Sequence, residues 1–234
     1  MCLSSGNLAS SRVETSLFTE ATTYLSKVLV KGPACHNPYE IHRVLWKLFV
    51  PCKCGDELLC PENTEISRDF LFRVEKSDGS LAEILMQSVR EPVMVHKEMR
   101  LIACREYGLS FHTGQLLRFL LVANPIKTID DENDRKNARG EIKKCRVPLV
   151  DDGDLRTWLG RKLMPCACLE SLEVDRKPPL YFRKHKGHLV GKIQPVVYKG
   201  TLTVQNPGAL QEIVQQGIGP AKAFGCGLLS LAKG

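Results

Sequence analysis

The chain has 234 residues, 43% of them hydrophobic, and a formal net charge of +7. That length and apolar content suit one large or two small packed domains and exclude a coreless chain. Ten cysteines would suggest a disulfide scaffold only in a short exported protein, and residues 1–23 lack the basic start and apolar run of an export signal, so the reading is a reduced, cytoplasmic protein without a membrane anchor.

Residues 1–23 are rich in Ser, Thr and Ala and are expected to form a flexible N-terminal extension. Residues 24–31 alternate polar and apolar side chains as a strand does. Asn37 is a side-chain cap, Pro38 suits the first helical position and Glu40 is placed to complete a capping box, which predicts a helix from 38 to about 49. At about 100° per residue, Ile41, Val44, Leu45 and Leu48 share one face, while Tyr39, His42 and Trp46 gather on a flank beside it. His42 therefore need not lie in the core.

Residues 51–61 hold Cys52, Cys54 and Cys60. Three thiolates could begin a tetrahedral zinc site with Cys35, His36 or another residue as a fourth ligand, but the spacing is not that of a recurrent zinc knuckle, so an ordinary loop without metal is the preferred reading. Residues 69–75 and 83–89 read as strands paired across the turn Ser77-Asp78-Gly79, and 99–107 as a further strand. The order β-α-β-β suggests a ferredoxin-like unit, the architecture of an RNA-recognition motif.

The pattern then repeats after a boundary near 108–113. Strands are expected at 114–124, 180–183 and 189–204, helices at 154–163 and 209–216, and a closing strand at 228–232. The fold class is α+β, two tandem ferredoxin-like domains with antiparallel sheets, spanning 24–110 and 111–234.

Between the last helix and the last strand lie Gly217, Gly219, Gly225 and Gly227 around Lys222. Glycines supply positive φ without steric cost, and a loop bare of side chains lets backbone N–H groups and one cation approach a phosphate backbone. A dinucleotide fold would place the glycines between a strand and a following helix, the reverse of the order here, and the Gly-Lys-Ser/Thr of a Walker loop is absent. Basic residues cluster at Arg135, Lys136, Arg139, Lys143, Lys144 and Arg146, and again at Arg176, Lys177, Arg183, Lys184, His185, Lys186, His188 and Lys192, with Tyr181 and Phe182 interleaved. Such clusters attract polyanions and make binding salt-dependent. The candidate RNA contacts are Arg43, Lys143, Lys144, Arg183, Lys184, Lys186, Lys192, Gly217, Gly219, Lys222, Gly225 and Gly227.

The helix motif 37–46 and the loop 217–230 together resemble the CasE family, the CRISPR repeat-processing endoribonuclease subunits of the type I-E Cascade complex. Supporting stretches at 24–28, 68–76, 123–128 and 144–149 run in the family's order to the C-terminus, and the cysteine-bearing segment 51–61 departs from it by lengthening a link. The resemblance implies two ferredoxin-like domains and a catalytic tyrosine and histidine, matched here by Tyr39 and His42. It implies that the protein cuts the repeat stem-loops of precursor CRISPR RNA at the base of the hairpin, without metal or other cofactor, and stays on the mature guide RNA beside other Cascade subunits. Leu120 and Val122 stand where relatives often carry arginine, so repeat affinity or preference is expected to differ.

The chemistry is consistent with these residues. RNA carries its own nucleophile, and a protein that aligns the ribose 2′-OH with the adjacent phosphorus needs chiefly a proton carrier and a donor or cation for the charge on the phosphorane. Histidine titrates near neutrality and Lys222 supplies charge. Two other readings stay open here: a noncatalytic RNA-binding subunit on the same scaffold, and a metal-dependent nuclease built on Asp130, Asp131, Glu132 and Asp134.

Overall fold

The computed structural model describes residues 22–49, 70–93, 97–183 and 190–234. The expectations for residues 1–21, for Cys52, Cys54 and Cys60, and for Lys184, His185, Lys186 and His188 lie outside the described residues.

The first lobe contains β1 (Tyr24–Lys31), α1 (Pro38–Trp46), β2 (Phe70–Ser77), β3 (Leu81–Ser88) and β4 (Met99–Glu106), with strand order β2-β3-β1-β4 and antiparallel neighbours throughout. Alternation decides which way each strand faces. Val28, Val30, Phe70, Phe72, Ala82, Ile84 and Met86 turn inward against Ile41, Val44 and Leu45 of α1. Lys27 points outward and reaches Glu83 of the neighbouring strand at 2.9 Å. Helix α1 begins as its sequence dictates: the Asn37 side chain accepts the Tyr39 N–H at 3.0 Å and Pro38 opens the first turn. Its end differs from expectation. The α-helix stops at Trp46, and residues 47–49 continue as i→i−3 bonds from Lys47, Leu48 and Phe49 to Val44, Leu45 and Trp46. This tightening satisfies carbonyls that would otherwise lack partners.

The second lobe repeats the sheet plan and, among the described residues, adds a second α-helix before its last strand. It contains β5 (Leu116–Ala123), a hairpin of β6 (Ile126–Asp130) and β7 (Lys144–Pro148), α2 (Asp152–Leu163), β8 (Ala167–Arg176), a hairpin of β9 (Leu180–Arg183) and β10 (Val190–Ile193), β11 (Val196–Val204), α3 (Pro207–Gln216) and β12 (Leu229–Lys233). Its sheet runs β12-β5-β11-β8, the same order as the first once the two hairpins are set aside as insertions. Leu121, Tyr198, Leu202 and Leu229 pack inward on Leu155, Trp158, Leu159, Leu210 and Val214 of the two helices.

Several sequence expectations are corrected in this lobe, among them the unanticipated hairpin of β6 and β7. The stretch 189–204 is not one strand but β10 and β11, separated at Gln194 and Pro195, because Pro195 cannot donate to a ladder. Strand β8, unanticipated, takes the sheet edge beside β11. It is an edge strand with a register shift opposite Thr201 and Leu202, so its apolar residues break the strict alternation that marks a strand. Helix α3 also starts two residues earlier than expected, with Asn206 accepting the Ala209 N–H at 3.1 Å and Pro207 in its first turn.

The face of the first sheet opposite α1 meets the second lobe. Gln87 donates to the carbonyl of Val214 at 2.9 Å in a buried contact. Arg73, 5% exposed, pairs with Glu75 at 2.6 Å and donates to Ser230 Oγ at 2.9 Å and to the Leu120 carbonyl at 3.4 Å. No helix among the described residues is long and apolar enough to cross a membrane.

Candidate active site

His42 and Tyr39 sit one turn apart on α1, on the flank that the periodicity selects. The His42 ring lies against Phe70 at 5.3 Å and Phe72 at 6.2 Å between centroids, because residues two apart on β2 share a face. Trp46 closes a third side edge-on at 6.1 Å and donates its Nε1–H to His42 Nε2 at 3.3 Å. The ring is thus half-buried in aromatic side chains, and burial pushes its pKa down to about 4, since a charged imidazole loses hydration there. At neutral pH it is uncharged.

The other half of the site comes from the second lobe. A 3-10 turn at Lys222–Phe224 packs on α1 and β2. Tyr39 meets the Phe224 ring at 5.9 Å, and Phe224 in turn meets Phe182 of β9 at 4.3 Å. A Cβ on Gly225 would come 3.3 Å from the Phe72 ring, so the loop lies directly over the wall that holds His42. The catalytic candidates and the glycine-rich loop therefore share one seam between the lobes.

The loop is tied at its neck. Ile218 donates to the Gly227 carbonyl at 2.9 Å, and Gly227 donates to the Val122 carbonyl of β5 at 2.7 Å. Gly217 has φ +72° and ψ 160°, and a Cβ there would stand 2.7 Å from Leu71 Cδ1 and 2.9 Å from the Gly227 carbonyl oxygen. Only glycine fits such a position. The N–H groups of Gly217, Gly225 and Gly227 all bond within the chain, so these glycines shape the loop and leave the approach to a polyanion to its remaining groups. Gly219 packs on Trp158 of α2. Lys222, partly buried, lies beside Gly227 with its Cγ 3.2 Å from where a Cβ would be.

The remaining basic candidates are spread out. Arg43 is exposed and paired with Glu40 at 3.4 Å. Lys143 and Lys144 belong to the β6–β7 hairpin, where Lys144 pairs with Asp130. Lys192 of β10 stands over the Tyr181 ring at 6.0 Å, and Arg183 ends β9 in the same hairpin. Within the acidic run Asp131, 4% exposed, is committed to structure: both its oxygens accept the Arg135 guanidinium, and it accepts further bonds from the Arg135 and Asn133 N–H groups and the Cys145 thiol. The Arg135 guanidinium holds its carboxyl well below the usual range. Among the described residues no group of three or more His, Cys, Asp or Glu side chains is arranged to hold a metal ion.

Phe70, Phe72, Phe224 and Phe182 line the site without a signal in the sequence that marks them as site residues. The alternation Phe70-Leu71-Phe72 placed both phenylalanines on one face, and Phe182 stood within a basic cluster, but nothing local said that they would meet an α1 histidine.

A family model described as CRISPR associated protein matches residues 23–233. The CRISPR system Cascade subunit CasE of Escherichia coli K-12 is 40% identical over 210 residues, 89% of this chain and 98% of its own. The crystal structure of Cas6e from the same strain covers 90% of this chain and 99% of its own at 39% identity, with a TM-score of 0.74. A structure of Thermus thermophilus Cse3 bound to an RNA representing a pre-cleavage complex covers 90% and 99% at 29% identity, TM-score 0.64; the protein described as CRISPR-associated endoribonuclease Cse3 is 31% identical over 213 residues, 84% of this chain and 90% of its own.

Proposed function

We propose, for a chain that belongs to the CRISPR-associated protein family, a metal-independent endoribonuclease that cuts the repeat stem-loops of precursor CRISPR RNA and remains on the guide RNA as a cytoplasmic Cascade subunit. The relatives named Cascade subunit CasE and endoribonuclease Cse3 support the class and the substrate. The observation that carries the chemistry is the position of His42: half-buried, uncharged and at the seam where the Lys222–Phe224 turn of the second lobe closes on α1.

The mechanism follows from these groups. The neutral imidazole of His42 accepts the proton of the ribose 2′-OH, and the 2′ oxygen attacks the adjacent phosphorus. The bond from phosphorus to the 5′ oxygen breaks in line, leaving a 2′,3′-cyclic phosphate and, after protonation, a 5′-hydroxyl. In this reading Tyr39, on the same flank, orients the 2′-OH or the phosphate, and Lys222 offsets charge on the phosphorane oxygens. A phosphodiester beside the ring counters burial and raises the pKa of His42 from its free value of about 4 toward working pH. Stem recognition rests on backbone charge and A-form shape, with Arg43, Lys143, Lys144, Arg183, Lys192 and the loop as contacts and Lys184 and Lys186 added from sequence.

The test is cleavage of a labelled repeat hairpin in excess chelator by wild type, His42→Ala and Tyr39→Phe. The expected result is full cutting by wild type, loss with His42→Ala at retained binding, and reduced rate with Tyr39→Phe. Undiminished cutting by His42→Ala removes His42 from the reaction; binding without cutting by wild type favours the noncatalytic RNA-binding subunit.

A further inference from the structure

An indole N–H can only donate, so the His42 nitrogen that meets Trp46 Nε1 at 3.3 Å presents its lone pair. A neutral imidazole has a single such nitrogen, which leaves the ring proton on Nδ1. Protonating Nε2 in this arrangement would aim two N–H groups at one another.

We propose that Trp46 is a positioning residue for the reaction: its indole fixes His42 as the Nδ1–H tautomer and holds the basic Nε2 in a hydrogen bond that the ribose 2′-OH takes over when RNA binds. This rests on the reading of His42 as the proton-accepting group. The exchange is balanced, one donor to Nε2 replaced by another, with the proton moving to Nε2 only as the 2′ oxygen attacks phosphorus.

The indole is itself held. It packs edge-on against Phe70 at 5.2 Å and Phe49 at 6.4 Å, so the first lobe's core sets its direction. Trp46 and His42 are four residues apart on α1, the spacing at which helical side chains meet. Phe70 and Phe72 occupy other sides of the imidazole, which restricts the rotations by which it could leave the indole. The titratable and charged groups on the elements packed around the ring are Tyr39, Glu40 and Arg43 on α1, Lys222 on the turn, and Arg73, Glu75 and Lys76 on β2, of which Glu40 pairs with Arg43 and Glu75 with Arg73. Burial already lowers the pKa of His42, and the indole donor acts in the same direction.

The experiment is nitrogen-15 NMR of the histidine side chains in the RNA-free protein, assigned with His42→Ala, for wild type and Trp46→Phe, alongside single-turnover cleavage of a repeat hairpin across pH at protein concentrations well below saturation, where the profile reports the RNA-free enzyme in which the indole still holds Nε2. Wild-type His42 is expected to show a protonated Nδ1 and an acceptor Nε2. In Trp46→Phe the tautomers should mix, the pKa of His42 should rise by about half a unit to one unit, the worth of one neutral hydrogen bond, and the limb of the cleavage profile governed by His42 should move by the same amount. A wild-type Nε2–H tautomer overturns the proposal without recourse to any variant. An unchanged tautomer and pKa in Trp46→Phe also overturn it, as does a cleavage limb that stays in place while the pKa moves. Cleavage that persists in His42→Ala is a different failure, that of the catalytic reading, and leaves the spectroscopic result standing.

Discussion

Replacing Gly217 with alanine tests the closure of the loop over the histidine. The native φ of +72° with ψ 160° belongs to a region reserved for glycine, where a side chain costs about 1–3 kcal/mol. The new Cβ would also stand 2.9 Å from the Gly227 carbonyl oxygen, which accepts the Ile218 N–H. Relief of that contact weakens the neck bond, worth about 1 kcal/mol, so the loss totals about 2–4 kcal/mol. For a chain of this size each kcal/mol moves the midpoint by about 2–4 °C, giving a fall of about 4–16 °C by differential scanning calorimetry. Cleavage should fall about a hundredfold through displacement of the Lys222–Phe224 turn, the usual consequence of a misplacement near 1 Å. Gly208→Ala is the control, since its Cβ meets nothing closer than Asn206 Oδ1 at 3.7 Å on α3 and φ there is ordinary. It should leave the midpoint unchanged or slightly raised. A Gly217→Ala protein that melts with wild type and cuts at full rate refutes the reasoning.

Arg73→Met removes the guanidinium that joins β2 to Ser230 and to the Leu120 carbonyl; with Glu75 over a third exposed, the loss is about 2 kcal/mol, read by urea denaturation. His42 has a folded pKa of about 4, below its unfolded 6.5, so the unfolded chain binds the proton first; the stability contributed by keeping the ring neutral is full above pH 6.5 and is lost as pH falls toward 4. That loss is about 2–3 kcal/mol in wild type and should vanish in His42→Phe, measured as the slope of stability against pH. Lys222→Ala should slow single-turnover cleavage by about a hundredfold or more if the ammonium offsets phosphorane charge, and weaken binding alone if it only contacts backbone. Affinity for the repeat hairpin should fall steeply with salt, and Lys144→Ala should reduce that slope by about one.

Helix α1 was legible because its start is local chemistry: Asn37, Pro38 and the apolar spacing act within one turn. The glycine loop was legible for the same reason, since positive φ at Gly217, Gly219, Gly225 and Gly227 is a property of single residues. Strand β8 was not, because an edge strand with a shifted register blurs the alternation that reveals buried strands. The role of the glycine N–H groups was half legible. Sequence says that the backbone can turn, whereas the bond from Gly227 to Val122 depends on where β5 passes. The aromatic wall was least legible, since Phe224 reaches Tyr39 from the opposite end of the chain through the docking of two lobes. Pairings of that kind follow from the packing of whole domains and leave no local pattern.

The most direct test of the central claim, that His42 draws the proton from a 2′-OH which then attacks phosphorus, is a hairpin bearing a single 2′-deoxy nucleotide at the cut site, incubated with wild type in chelator. The expected result is binding equal to that of the all-ribose hairpin, no cutting, and a 2′,3′-cyclic phosphate on the product of the ribose control. Cutting of the deoxy hairpin at a comparable rate would contradict it.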